Sequence, residues 1–526
     1  MGDAVMELAI ILALFPILAV FVLMIRLGMA VDISGLIGWF LTVGVAVLFF
    51  NTSLQTALLA SLGGMVASFG ISLMVVASIL QITFMEATGS LQRIAVLLKT
   101  VAPSDRAVQI LLISMGAGTV LVSMGATPVS ILPPIFIALG YTPFVAVALA
   151  AIGFDALCTY SLLSIPMVVF SDMLGISLVR ASQEFSVYMP VISTLIGFGM
   201  LWIVGKGALI RQGLVPCVLA GVTGGGAAIA IAYIPLFQSA VVLTGVVAGS
   251  CITIALLLYL KMRGRPIIDR SKLTAADRQI EQSMSLTKAV SPWLILVVCL
   301  LTINFYQPLY NLLFNTWAMP FSVLPGQVIK TRMLWNAYTW VLISTLLAAL
   351  FFRPSSAVWK SILTKWLRRA PRPFLSAAIF FAISFVMMSS GAHKLTGMFA
   401  PSMPAANMVG VLAQGSVFLF GSFYPFISAY LGLFAGFITG SEASGIGMLA
   451  KYHLLTAKAL HFDPLVINAA SAIGAGLASV ISPAKLQNAA ATIDAIGVEG
   501  EVIRAGFVIA VLMTAVTGLI AAALLL

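Results

Sequence analysis

The chain has 526 residues, of which 61% are hydrophobic and only 8% charged; soluble chains run nearer about 45–50% apolar. That composition excludes a soluble enzyme or binding domain. The net charge of +11 falls in short connecting loops, which excludes a nucleic-acid role and leaves membrane lipid as the surroundings.

Apolar runs close to the ~20 residues that cross a hydrocarbon core recur at 8–25, 34–50, 187–205, 238–260, 333–352 and 505–526. The expected fold is an all-α polytopic membrane protein with roughly twelve to fourteen transmembrane segments. The first run does not read as a cleaved signal, because Asp3 and Glu7 replace a basic leader and no small-x-small site follows. After a further span at about 58–85 comes the basic cluster Arg93, Lys99 and Arg106. The next basic groups are Lys206 and Arg211, the 261–290 loop with a short amphipathic helix, and the acid-free 353–373 loop. The positive-inside rule makes all of them cytoplasmic and puts the N-terminus outside.

Two regions interrupt the apolar pattern, and they echo each other. The first runs LVSMGATPVSILPP (121–134), GYTP (140–143) and GFDALCTYSLLSIP (153–166). The second runs FITGSEASGIG (437–447), HFDP (461–464) and NAASAIGAGLASVISP (468–483). Each is a Gly/Ser/Thr break, an aromatic-x-Pro turn, and a small-residue helix ending in a second break. Paired interruptions in corresponding halves point to a transporter's binding site. The chain therefore divides into a first repeat (1–205, breaks near 121–134 and 153–166), connecting helices (206–372), and a second repeat (373–526, breaks near 437–447 and 481–488). The repeats are expected to have inverted topology, with 121–134 and 437–447 meeting as non-helical backbone at mid-membrane. A helix stopped there exposes NH groups and the positive end of its dipole, which suits an anion.

Those residues carry a resemblance. SSGAHKLTGMF, GLFAGFITGSEASG and INAASAIGAGLASVISPAKLQNAAATIDAIGVEGE, with FPILAVFV and the SMGATPVSILPP region of the first half, are similar to the L-lactate permease family. The resemblance implies bacterial inner-membrane uptake of lactate or another small 2-hydroxy monocarboxylate by proton symport, on a two-repeat carrier architecture with sites at paired hairpin tips. The sequence departs from the family pattern in places. The acid and Phe-Gly usual near 122–128 are missing, Glu442 stands for an aspartate, Gly445-Ile446 for Ser-Asn, and Lys485 for a neutral polar residue.

The candidate substrate-binding residues are Ser123, Gly125, Thr127, Thr439, Gly440, Ser441, Ser444, Ser482 and Lys485. Glycines permit close approach and hydroxyls add donors. Lys485 can neutralise a carboxylate or pair with Glu442, or snorkel to the interface. A carboxylate at membrane depth is costly and marks function, so Glu442 and Asp155 are the candidate proton-coupling residues, with a structural ion pair or a helix-packing hydrogen bond as the competing reading. No cofactor is expected; the coupling ion is H⁺, with Na⁺ as the alternative on a carrier of another small organic anion. Among rival classes, no GxxxxGK[ST] loop supplies a nucleotide site. Ser441 has no histidine partner for an enzyme. Neither the four cysteines nor the three histidines have metal spacing. A channel fits two mid-chain breaks less well than alternating access does. Glu86, Lys394, Lys451 and His453 read as residues near helix ends. Oligomeric state stays open.

Overall fold

The structure is a computed structural model describing residues 3–27, 29–102, 104–125, 128–271, 273–324, 328–395, 398–401 and 407–525. Among these, twelve helical stretches are long and apolar enough to cross a membrane, and the strands form two short hairpins. The chain is an all-α polytopic membrane protein.

Helices α1 (Asp3–Arg26) and α2 (Val31–Phe49) are followed by α3 (Leu54–Ala67) and α4 (Phe69–Ala87). The run expected as one span at 58–85 bends at Ser68, whose hydroxyl bonds the Met65 carbonyl at 2.7 Å; Ser and Gly close together are a common cause of such kinks. The amphipathic α5 (Ser90–Thr100) leads to α6 (Arg106–Leu111), which passes through a π-helical turn into α7 (Gly118–Ser123). The chain reverses at Gly125, whose φ of 92° suits a residue without a side chain, and returns as α8 (Pro128–Ala138). Arg106 stacks on Tyr141 at 5.0 Å, so both ends of this excursion lie at the same face. It is a re-entrant hairpin with its tip at Gly125.

α9 (Pro143–Ile152) runs into a 3₁₀ turn at Gly153–Tyr160, and α10 (Ser161–Leu174) starts with Leu162, Leu163 and Ser164 all left-handed. This span is broken at its centre. The short α11 (Leu178–Ser186) precedes α12 (Met189–Tyr233), two spans joined at Lys206, where φ is 54°. α13 (Thr244–Met262), α14 (Ala275–Ser283), α15 (Leu286–Phe305), α16 (Gln307–Tyr310), α17 (Ala337–Phe352) and α18 (Ser356–Arg369) complete the middle portion. The amphipathic helix expected in the 261–290 loop is α14, started by a Thr274–Asp277 capping box. Burial works against ionisation of Asp277, yet hydrogen bonds from Lys99 and Thr274 hold its carboxyl below the usual range. Through Lys99–Asp277 (2.8 Å) and Arg265–Asp105 (2.6 Å) the loop is clasped to the segment leading into the first hairpin.

The last third contains α19 (Pro371–Ser389), α20 (Met408–Phe420), α21 (Tyr424–Thr439), α22 (Glu442–Ala459), α23 (Pro464–Leu477), a 3₁₀ turn at Ala478–Ile481, α24 (Pro483–Ala491) and α25 (Glu499–Leu524). α21 and α23 touch backbone to backbone. A Cβ on Gly436 would stand 2.1 Å from the Ala475 carbonyl oxygen, and one on Gly474 would stand 2.0 Å from that of Ala429. Small residues permit such contact between membrane helices. Gly436→Val should therefore lower the unfolding temperature in detergent by several degrees, since overpacking costs about 1–3 kcal/mol or more; an unchanged melting curve would contradict this packing.

Two expectations about the breaks need correction. The irregular backbone is narrower than 121–134 and 437–447, because helix resumes at Pro128 and at Glu442. Proline is well tolerated in a first helical turn, and a serine before Glu442 supplies an N-cap. Nor are the two tips each other's main partners. α22 packs on α10, and α24 packs on α8, so each first break lies against the second break of the other half.

Candidate functional site

The second hairpin turns on three residues. Gly440 takes φ 67°, the Thr439 hydroxyl donates to the Ala435 carbonyl at 2.9 Å, and the Ser441 oxygen accepts from the Ser444 backbone NH at 3.4 Å. Thr439, Gly440 and Ser441 therefore build the turn, and Ser441 is the N-cap of α22. Glu442 is the first residue of that helix and is 3% exposed. Its carboxylate lies at the positive end of the α22 dipole, so the chain's own anion occupies the terminus expected to attract a substrate.

Glu442 is also where the halves join. Its Oε1 accepts a 2.7 Å hydrogen bond from the Thr159 hydroxyl, in the broken span of the first half, while Oε2 is buried without a partner. Gly476 leaves the room: a Cβ there would lie 2.8 Å from Oε2 and 3.3 Å from the Cys158 Cβ. Asp155, on the same 3₁₀ turn as Thr159, is buried with neither carboxylate oxygen in a hydrogen bond. Ser479 faces it, and Lys485 acts electrostatically on both acids. The Lys485 ammonium donates to the Ser479 hydroxyl at 2.5 Å. Two carboxylates and one ammonium thus converge from three broken elements.

The remaining candidates separate into groups. The hydroxyls of Ser123 and Ser482 are each 1% exposed and have no partner. Ser123 Oγ and the Tyr160 carbonyl border one point above Gly245. Ser444 is buried; Gly125 forms the first tip, against the unpaired Ser78 hydroxyl. Thr127 lies outside the described residues. Buried polar atoms are ordinarily paired, and each unpaired one costs about 1–3 kcal/mol. Ser123, Asp155, Glu442 and Ser482 each carry such an atom beside a helix break.

Sequence reasoning passed over two features. Cys158, whose spacing to the other cysteines signals no chemistry, borders Glu442; the 3₁₀ geometry, with Leu157 at φ −137°, brings it there. His453 is not near a helix end but fully buried in mid-helix, its Nδ1 2.7 Å from the Tyr424 hydroxyl. Glu86 does end its helix, paired with Arg369 at 2.9 Å. Among the described residues, no three His, Cys, Asp or Glu side chains gather as a metal site.

The profile of L-lactate permeases matches residues 9–526. The chain belongs to the L-lactate permease family. The L-lactate permease of Streptococcus iniae is 24% identical over 463 residues, covering 86% of this chain and 92% of its own. The glycolate permease GlcA of Escherichia coli is 24% identical over 549 residues, covering 94% and 92%. A solved structure of Neisseria gonorrhoeae MtrF, titled as illuminating a class of antimetabolite efflux pumps, aligns over 88% of this chain and 83% of its own. At 15% identity and a TM-score of 0.39, that likeness is too loose to bear on function. Membership in a permease family, with twelve apolar helical stretches, makes this member a multi-pass transport protein of the bacterial inner membrane and not an enzyme.

Proposed function

We propose that this permease imports lactate or a related small 2-hydroxy monocarboxylate together with a proton. The lactate and glycolate permeases among its relatives support the substrate class. The observation that carries the mechanism is the Thr159–Glu442 hydrogen bond between the two halves, beside Asp155 and Lys485. Lys485 and the hydroxyls of Ser123 and Ser482 hold the carboxylate, and Glu442 carries the proton. In the empty site the charge of Lys485 is balanced by ionised Glu442. With a proton on Glu442 it is balanced by the bound monocarboxylate instead, so the local charge is the same in both states. One-to-one coupling thus spares the moving site any change of charge, and such a change at membrane depth is expensive.

The halves 1–205 and 373–526 serve as inverted repeats around the connecting helices. In support, contacts exchange under a two-fold: α10 on α22 matches α24 on α8, and the Gly153–Tyr160 turn on α23 matches the Ala478–Ile481 turn on α9. Rocking one repeat against the other then opens the central site to alternate sides.

Sodium coupling is the second reading, favoured by the three unpaired carboxylate oxygens, which are ligands for a hard cation. Purified protein in liposomes, given radiolabelled lactate, glycolate, pyruvate or succinate under separate proton and sodium gradients, distinguishes the two. Lactate or glycolate accumulating on a proton gradient without sodium supports the proposal; accumulation only with sodium replaces it.

A further inference from the structure

The acid-free loop 353–373 folds for most of its length as α18, which holds Lys360, Lys365, Arg368 and Arg369 within 14 residues. A helix so short and so charged does not cross a hydrocarbon core. Its sequence instead divides it into three faces.

The first face packs on the protein. Ile362 is fully buried, the Trp359 ring stands 5.9 Å from that of Phe84 in α4, and the Trp366 indole NH donates to the Val76 carbonyl at 2.9 Å. Two residues beyond Val76, Ser78 stands against the hairpin tip at Gly125, so α18 is tied to the helix that the first tip touches. The second face, at i, i+3 and i+7, is Lys360, Leu363 and Leu367. It is apolar yet uncovered, with Leu363 43% and Leu367 63% exposed. The third face is polar: Ser361, Thr364, Lys365 and Arg368 are all exposed. Two acids reach this region from other helices, and both are taken. Glu86 of α4 pairs with Arg369 at 2.9 Å, and Asp32 of α2 lies 3.6 Å from Arg372. Among the described residues no acid forms an ion pair with Lys360, Lys365 or Arg368.

We infer that α18 lies in the cytoplasmic membrane interface and docks anionic phospholipid, with Leu363 and Leu367 among the acyl chains and Lys360, Lys365 and Arg368 on the headgroup phosphates. Amphipathic helices with tryptophan and leucine on one side and cations on the other lie in the plane of the headgroups. Long basic stems run along apolar surface and keep their charge in the polar layer. The positive-inside rule puts this loop on the cytoplasmic side, whose leaflet is the anionic one, so the charges are complementary. The leucine stripe selects lipid over free phosphate, which offers nothing in which leucine can be buried. The inference depends on neither the substrate nor the coupling ion.

The test titrates the full chain in detergent with phosphatidylglycerol and follows thermal unfolding, since a ligand bound by the folded state raises the melting temperature. Phosphatidylglycerol should raise it in a saturable way. The triple variant Lys360→Gln, Lys365→Gln, Arg368→Gln should need on the order of a hundredfold more lipid for the half-maximal shift, because each cation near an anionic surface contributes about a fivefold factor. Swapping the same positions with charge retained, as Lys360→Arg, Lys365→Arg and Arg368→Lys, should leave the response near that of wild type. The same net charge removed elsewhere, by Lys261→Gln, Arg263→Gln and Arg278→Gln, should also leave it nearly unchanged. Phosphatidylcholine should give a smaller shift, equal in wild type and the α18 variant, and inorganic phosphate should give none that depends on α18. Equal half-maximal concentrations in wild type and the α18 glutamine variant overturn the inference. So does an equal loss in the control variant, which would make the effect one of net charge, or a phosphate response as large as that to phosphatidylglycerol and lost in the same variant.

Discussion

Glu442→Gln should abolish uphill accumulation of substrate while sparing exchange. The amide keeps an oxygen for the Thr159 hydroxyl and keeps the shape accommodated by Gly476, so the site should assemble. It mimics the protonated acid but cannot release a proton, so the loaded form is trapped in one charge state. Counterflow of labelled lactate against unlabelled lactate needs only the loaded carrier and should continue near the wild-type rate. Net uptake driven by a proton gradient needs the empty carrier to return with Glu442 ionised and should fall to the unfacilitated background. In wild type, uptake should rise as external pH falls, because protonation and binding of an anion favour each other; in the variant this dependence should flatten. Glu442→Asp should retain part of the coupling. Gradient-driven accumulation by Glu442→Gln at the wild-type rate would remove Glu442 from the coupling step.

Lys485→Gln should weaken substrate binding more than any single hydroxyl substitution. The ammonium is the positive charge acting on both Asp155 and Glu442. Without it the site holds two acids and no compensating charge when an anion arrives. Loss of one charge-assisted hydrogen bond is worth about 1.5–3 kcal/mol, or roughly one to two orders of magnitude in affinity. Ser123→Ala and Ser482→Ala each remove a neutral donor and should cost less. Ser441→Ala should act differently: Ser441 caps α22, and losing an N-cap costs about 1 kcal/mol of stability, so the melting temperature should fall with it. Concentration dependence of exchange, beside thermal unfolding of each variant, separates the roles. If Lys485→Gln leaves the half-saturating concentration unchanged, the lysine does not hold the substrate.

The polytopic fold was readable from run length alone, since only helices satisfy their own backbone along such runs. Gly125 and Gly440 stood out as glycines that permit close approach, and the structure uses both as turn points at positive φ. Glu442 and Asp155 stood out because a membrane-depth carboxylate is rare. What could not be read was which break meets which. The link between Thr159 and Glu442 spans 283 positions and depends on a 3₁₀ turn followed by three left-handed non-glycine residues, which local propensity does not announce. The ion pair between Arg332 and Asp172 was invisible for the same reason, since the two are 160 positions apart. The hydroxyls of FITGSEASG looked like ligands, but a serine before a helix start also reads as a cap, and the structure uses Ser441 as one.

The central claim is that substrate binds where the two halves meet at Glu442, and Cys158 reports on that place directly because its Cβ borders the same point as Glu442 Oε2. With Cys217, Cys251 and Cys299 replaced, alkylation of Cys158 by a small maleimide in liposomes measures how often the site opens to water and whether it is filled. The account predicts that L-lactate slows alkylation in a concentration-dependent way, half-maximally near the concentration that half-saturates exchange. Alkylation that proceeds at the same rate with and without saturating lactate, in protein that transports lactate, would place the substrate elsewhere.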